Sequence, residues 1–351
     1  MTQRIALFNH KGGVSKTTTT FNIGWMLAKK GKKVVMVDTD PQCNLTGMVL
    51  GYKGESEFEN FYRSQGNNDI KSGLAPAFES QPRPIQAVDC VPVPNRKGLF
   101  LLPGHIGLAE YEVTLGIAQE LSGTIVTLKN LPGSLSYLLD KTAEHHNADY
   151  ILIDMSPSLS SINQNLLMTS DFFIVPTVPD YFSVMALNSL DKIISKWQVW
   201  ANKARSTLAL QQAEYPFPDV HPKFLGTIIQ NYRPRSGAPS IGFQNWIDEI
   251  NNTVKTLLVP HLSEYDMTLD NSVYTRFGLS GNYCLSQISN FNTLIAKSQK
   301  YKVPVFALTD KQLGYKGMVL TRAKRPRDRF AQNFSDLTDK IIGLTQNEDR
   351  L

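Results

Sequence analysis

Cysteine is scarce in this chain. Cys43, Cys90 and Cys284 are the only three in 351 residues, and they lie too far apart for a disulfide framework or a Cys-x-x-Cys metal site. A reducing compartment fits that usage. No apolar run approaches the roughly 18 residues that a membrane span needs, and no basic-then-apolar leader precedes the first apolar stretch. The expectation is therefore a cytoplasmic protein without a membrane partner. The histidine pair His145-His146 with Asp149 has the residue types of a metal site, but adjacent histidines point to different faces of a helix, so a surface helix end is expected there. No repeat of fixed period and no low-complexity tract interrupts the chain. Charged residues are only 19% and the net charge is +5, which permits a polyanionic partner without demanding one. Hydrophobic content is 42%, ample for a sizeable core.

What is present is concentrated near the start. Residues 5–19 read IALFNHKGGVSKTTT. Ile5-Ala6-Leu7-Phe8 has the pattern of a buried parallel strand. Lys11-Gly12-Gly13-Val14-Ser15-Lys16-Thr17 follows, and then Thr18 to Lys30, with Phe21, Trp25 and Ala28 at helical spacing. Strand, glycine turn and helix make a cradle for a phosphate chain, because the turn aims backbone N–H groups inward and the helix N-terminus adds partial positive charge. Lys16 is placed to reach the terminal phosphates, and Thr17 to offer its hydroxyl to magnesium. The pattern G-x-x-x-x-G-K-[ST] is broken at both glycine positions, which hold His10 and Ser15.

The loop resembles the deviant Walker loop of the ParA and MinD group of ATPases, K-G-G-x-G-K-[ST]-[ST], matched everywhere except Ser15. The resemblance implies an ATP site made by Lys11, Gly12, Gly13, Val14, Ser15, Lys16, Thr17 and Thr18. It also implies that Lys11 crosses a homodimer interface to the partner's nucleotide, the charge-neutralising part of an arginine finger. If the loop needs positive φ at Ser15, serine costs on the order of 1 kcal/mol there.

Three further strands support the match. Lys33 to Val37 runs into Asp38-Thr39-Asp40-Pro41-Gln42, acids at the carboxyl end of a strand where open α/β sheets bind ligands. An ordinary turn before proline would use the same residues. By resemblance, Asp38 supports the magnesium shell and Asp40 orients or activates the attacking water. Tyr150-Ile151-Leu152-Ile153-Asp154 is an apolar strand ending in an acid, the Walker B pattern, with Asp154 expected to hold magnesium or its water. Its continuation resembles the family's switch loop, except that Ser156 stands in place of a proline. Phe224 to Tyr232 resembles the strand leading to an adenine-contacting asparagine, here Asn231, whose amide donates and accepts at once. Asn231 also suits an ordinary strand-end turn.

Repeated strand-helix alternation predicts a doubly wound, mainly parallel α/β sheet with helices on both faces, a P-loop NTPase fold in one domain over 1–351. Residues 51–105 are expected to be a loop-rich insertion with a returning strand at Leu99 to Gly104, and 235–300 a second insertion with a helix over 242–258. Helices are expected over 106–121, 131–147, 181–200 and 330–344, and a last strand over Val303 to Leu308.

The site so inferred suits slow, partner-stimulated hydrolysis of ATP. For the surface the dimer presents, Arg322, Lys324, Arg325, Arg327 and Arg329 crowd into eight residues with one acid, Asp328, a density that favours phosphate backbone. The same run also reads as a solvated helix start. The resemblance implies non-specific duplex DNA as partner, nucleoid association, and a ParB-like or other adaptor protein. It also implies partition or positioning of plasmid, chromosome or protein cargo. The alternative is the same switch within a defence or secretion complex. A metabolic relative is disfavoured, because no cysteines near the switch strands could hold a cluster. The acidic tail after Asp336 disfavours anionic lipid.

Overall fold

The computed structural model describes residues 2–51, 55–66, 68–121, 125, 128–235 and 238–346. Its strands are β1 (Gln3–Leu7), β2 (Val34–Asp38), β3 (Val91–Pro92), β4 (Leu99–Leu102), β5 (Tyr150–Asp154), β6 (Phe172–Thr177), β7 (Lys223–Tyr232), β8 (Pro234–Arg235), β9 (Ala238–Pro239) and β10 (Cys284–Ser289). Eight of them form one sheet in the order β10-β7-β6-β1-β5-β2-β4-β3, and β8 pairs with β9 separately. Every pairing in the large sheet is parallel except β3 with β4. The expected fold class is the one observed.

The central strands are continuous apolar runs because helices cover both faces of the sheet. Ile5, Leu7, Val34, Val37, Leu152 and Phe173 are all buried. The order places β1 between β5 and β6, so the chain leaves the middle of the sheet in both directions and opens a crevice at the carboxyl ends. Register puts Asp38 opposite Asp154, and Leu7, the last residue of β1, beside Asp154 as well.

Three expectations need correction. Residues 303–308 are not a strand. Pro304 has no N–H for a ladder, Val303 N–H bonds back to Ser298 O at 3.2 Å, and Val305–Ala307 coils as a 3-10 turn. The strand that closes this edge is β10, inside the stretch expected to carry helices. Its polar Ser286 and Gln287 break the apolar run that would have marked it. The segment 51–105 is also less irregular than expected, with helices at Glu55–Gln65 and Ile70–Phe78. The second is capped by Asp69, whose side chain accepts from Ser72 N–H. That helix holds Pro76 within it, and Pro82 and Pro84 follow shortly after its end, so the stretch carries several prolines without being loop throughout.

Other elements match in place and type. Helices span Leu108–Leu121, Leu131–His146 and Tyr181–Ser206, and Ile241–Thr253 runs on through a π turn, Val254–Leu258, into Val259–Glu264. The last helix is longer than its apolar stripe. Phe330, Phe334, Leu337, Ile341 and Leu344 are buried, but the helix begins at Gly317 and carries the basic cluster with it.

Candidate active site

The loop after β1 is fastened before it turns. Asn9 Oδ1 accepts the Lys11 N–H at 2.9 Å, and Asn9 Nδ2 donates to Pro176 O at 2.9 Å, tying the loop to the end of β6. Gly13 has φ 74° and Ser15 has φ 63°, ψ 30°, so the family's glycine position does require the left-handed region. Serine occupies it at a cost of about 1–2 kcal/mol. Ser15 O in turn accepts the N–H and the hydroxyl of Thr19 at 2.9 and 2.7 Å, locking the first turn of the helix Lys16–Lys29.

Gly12 to Thr18, Asp40 and Pro157 line one cavity of about 950 Å3. Lys16 is buried, with Nζ donating to Asn9 O at 2.7 Å and Lys11 O at 3.3 Å. Burial pushes it down to about 8, against the opposing pull of Asp154 and Asp40. Asp40 Oδ1 accepts the Gln42 N–H at 2.9 Å and is held at the cavity wall. Asp38 lies deeper. Thr46 gives its Oδ2 both a backbone N–H at 2.8 Å and a hydroxyl at 2.6 Å, and burial raises its pKa to about 6.

Asp154 is buried, and its Oδ2 has no hydrogen-bond partner among the described residues. Burial raises its pKa well above the carboxylate range and nearby Asp38 adds to that, while the Thr17 hydroxyl and Lys16 pull the other way. A buried carboxylate oxygen without a partner, beside a threonine hydroxyl and a second acid, is a hard-oxygen set that fits magnesium. That ion takes one or two carboxylates and fills its remaining positions with water and phosphate. Thr17, Asp154 and, through its neighbours, Asp38 would hold it.

Lys11 does not point into this cavity. Its Nζ is 2.6 Å from Asp180 and 3.1 Å from Ser183 Oγ, at the start of the helix Tyr181–Ser206. Burial alone would raise the Asp180 pKa, but hydrogen bonds from Lys11 and Ser183 outweigh it and hold the carboxyl below its ordinary range. Around this pair Tyr181, Phe182 and Met185 are exposed, as is Leu159 on the switch loop. At that loop Ser156, standing in place of proline, bonds Ser158 Oγ at 2.7 Å, and Asn163 Nδ2 clamps Ser156 O at 3.0 Å and Ser158 O at 2.8 Å.

The structure thus brings Gly12, Gly13, Val14, Ser15, Lys16, Thr17, Thr18 and Asp40 onto one cavity, with Asp38 and Asp154 behind it. Asn231 stands at the end of β7 with φ 68°, exposed, its Oδ1 accepting from Asn290 Nδ2 at 2.9 Å, and is not among the residues lining the phosphate cavity. The basic cluster divides in two. Lys324 and Arg327 are paired with Asp310 at 2.5 and 2.9 Å, whereas Arg322, Arg325 and Arg329 are exposed at helical spacing. His146 Nε2 sits 3.1 Å from Val88 O and His145 lies 2.9 Å from Asp89. Among the described residues no group of three or more His, Cys, Asp or Glu could hold a metal ion.

Sequence reasoning missed Asn9, Asp180 and the wall formed by Gln299 and Lys300. Asp180-x-x-Ser183 could have been found as a helix N-cap. Gln299 and Lys300 carry no local signal, since only the fold brings the helix Leu294–Tyr301 to the cavity.

A phosphate loop and two strand-end acids at the carboxyl edge of a mainly parallel sheet define a P-loop nucleotide-binding protein. A family model described as an AAA domain matches residues 2–207. Sporulation initiation inhibitor protein Soj of Bacillus subtilis is 31% identical over 68% of this chain and 88% of its own length. Chromosome partitioning protein ParA of Caulobacter vibrioides is 29% identical over 55% of this chain and 62% of its own. Apo McdA of Cyanothece superposes with TM-score 0.60 at 16% identity, covering 97% of this chain and 100% of that one. A protein from Corynebacterium diphtheriae gives 0.61 at 18% identity, over 98% and 99%. The chain belongs to the ParA/MinD family of deviant Walker ATPases.

Proposed function

We propose that this chain, as one ATPase domain, hydrolyses ATP to ADP and phosphate with magnesium, slowly and under stimulation by an adaptor protein. Two copies pair face to face around nucleotide in the cytoplasm, and the paired form binds duplex DNA without sequence preference to partition or position a cargo. The observation that carries the reading is the convergence of Lys16, Thr17 and Asp40 on one cavity with Asp154 behind it. Phosphoryl transfer needs mostly positioning and neutralised charge, and those residues supply both.

In this reading the loop amides and Lys16 hold the β- and γ-phosphates, and Asp40 orients the attacking water. Magnesium, when bound, neutralises charge developing on the phosphate oxygens. Thr17 and Asp154 provide its protein oxygens. Lys11 leaves Asp180 to reach across to the partner's phosphates, and the exposed Tyr181, Phe182, Met185 and Leu159 become the surface that closes against a second copy. Asn231 is proposed for adenine, and the cluster Arg322, Lys324, Arg325, Arg327 and Arg329 for DNA.

Phosphate release from ATP by the unaltered chain and by Lys16→Ala tests the enzyme claim. A loss of about a hundredfold or more is expected, the scale of removing one pre-organised electrostatic contact. Equal rates would remove it.

A further inference from the structure

The helix that starts at the phosphate loop carries a second feature near its other end. Trp25 lies nine residues past Lys16, roughly 13 Å along the axis at 1.5 Å per residue. It lines a separate cavity of about 380 Å3 together with Lys29, Asn95, Arg96, Thr309 and Gln312. No carboxylate is among the lining residues. Asp310, beside Thr309 in the chain, is already bonded to Lys324 and Arg327.

The donors around this cavity are built in. Trp25 is 2% exposed, and its indole N–H has no hydrogen-bond partner among the described residues. The Arg96 Nε–H, also buried, has none. The Arg96 guanidinium lies 4.9 Å from the centre of the Trp25 ring. Its backbone is fixed in the turn between β3 and β4, where the Arg96 N–H bonds Val93 O at 3.2 Å and Arg96 O accepts the Leu99 N–H at 3.3 Å. Gln312 spends its carbonyl oxygen on the Thr309 N–H at 2.8 Å, which leaves its amide hydrogens as donors. Lys29, exposed at the rim, forms no ion pair among the described residues.

Neither of those two N–H groups is open to a water-sized group, so what the cavity offers an anion is the Arg96 guanidinium together with Lys29 and the Gln312 amide. A guanidinium, an ammonium and an amide N–H with no acid in the wall suit an anion with several oxygens, and arginine matches phosphate by its forked geometry. We propose that this cavity is a second anion site, apart from the nucleotide cavity, that takes a phosphate group. The phosphate belongs either to a small phosphomonoester or to a nucleic-acid backbone passing the neighbouring C-terminal helix.

The test uses full-length protein carrying 5-fluorotryptophan, with the Trp25 fluorine signal assigned from Trp25→Phe. Inorganic phosphate is expected to shift that signal saturably, in the unaltered chain and equally in Lys16→Ala, which separates this site from the phosphate loop. Arg96→Gln is expected to weaken binding about tenfold or more. Lys29→Gln removes a charge at an exposed position, leaves the packing alone, and is expected to weaken it about threefold or more. A shift reproduced by chloride at matched ionic strength, lost in Lys16→Ala, or unchanged in both Arg96→Gln and Lys29→Gln would overturn the proposal. Phosphoserine moving the signal while a short DNA duplex does not assigns the phosphate to a small metabolite. A duplex that moves the same signal and competes with phosphate assigns it to nucleic acid.

Discussion

Ser15 and Lys16 are neighbours with opposite problems. Ser15 carries a side chain where the backbone favours glycine, at φ 63°. Ser15→Gly removes about 1–2 kcal/mol of strain and returns about 0.5–1 kcal/mol through the greater freedom of the unfolded chain. The expected result is a thermal midpoint higher by about 1 °C and by no more than about 2 °C, read by calorimetry on the ligand-free protein. Lys16 has the charge that the site needs and the burial that disfavours it, hence a pKa of about 8 before phosphate arrives. Its folded value lies below the unfolded one, so the burial penalty is fully present below pH 8 and is relieved as pH rises toward about 10.4. If Lys16 holds the terminal phosphates as proposed, nucleotide binding requires its protonated form. Affinity for a non-hydrolysable ATP analogue should therefore be about tenfold weaker at pH 9 than at pH 7, with close to one proton taken up at pH 9. Titration calorimetry in two buffers of different ionisation enthalpy reads both quantities.

At the scale of elements, the contact that matters is between the phosphate loop and the helix Tyr181–Ser206. Lys11 is bonded to the residue that caps that helix, so the same carboxylate secures the helix start and restrains the lysine. Asparagine caps a helix as well as aspartate does, so Asp180→Asn keeps the helix and loses the ion pair. A half-exposed pair of this kind is worth little. If two copies pair around nucleotide as proposed, the ATP-analogue concentration needed for pairing is expected to fall only about two- to fivefold, measured by light scattering or sedimentation. A higher requirement would mean that Asp180 positions Lys11 for the partner instead of holding it back. The helix Leu131–His146 shows a different kind of constraint, since a Cβ at Gly133 would stand 2.1 Å from Tyr215 O and 2.5 Å from Pro216 O. The close approach of that backbone needs glycine.

For the molecule as a whole, charge placement outweighs net charge. Five cations share the start of the last helix, but Asp310 already neutralises part of Lys324 and Arg327, and among the described residues Arg322, Arg325 and Arg329 form no ion pair. If those three are the DNA contacts, replacing all of them with alanine lowers the slope of log affinity against log salt by about 2.7. Filter binding of random duplex with the ATP-analogue dimer measures it, with phosphate release expected to stay at the unaltered rate. An unchanged slope would remove the cluster from the DNA surface. No described helix is long and apolar enough to cross a membrane.

Much of the candidate site was legible in the sequence, because its residues are written locally. Lys11 to Ser15 turn into the helix that Lys16 opens, Asp38 and Asp154 end strands whose apolar runs announce themselves, and Asp40 follows Asp38 by two residues; short-range backbone geometry and burial act on neighbours in the chain. The edge strand Cys284–Ser289, the Asp180 hold on Lys11, and the meeting of Trp25 with Arg96 join residues far apart in sequence. Their partners are chosen by the packing of whole elements, so no local pattern contains them, and the tertiary structure alone decided where they fall.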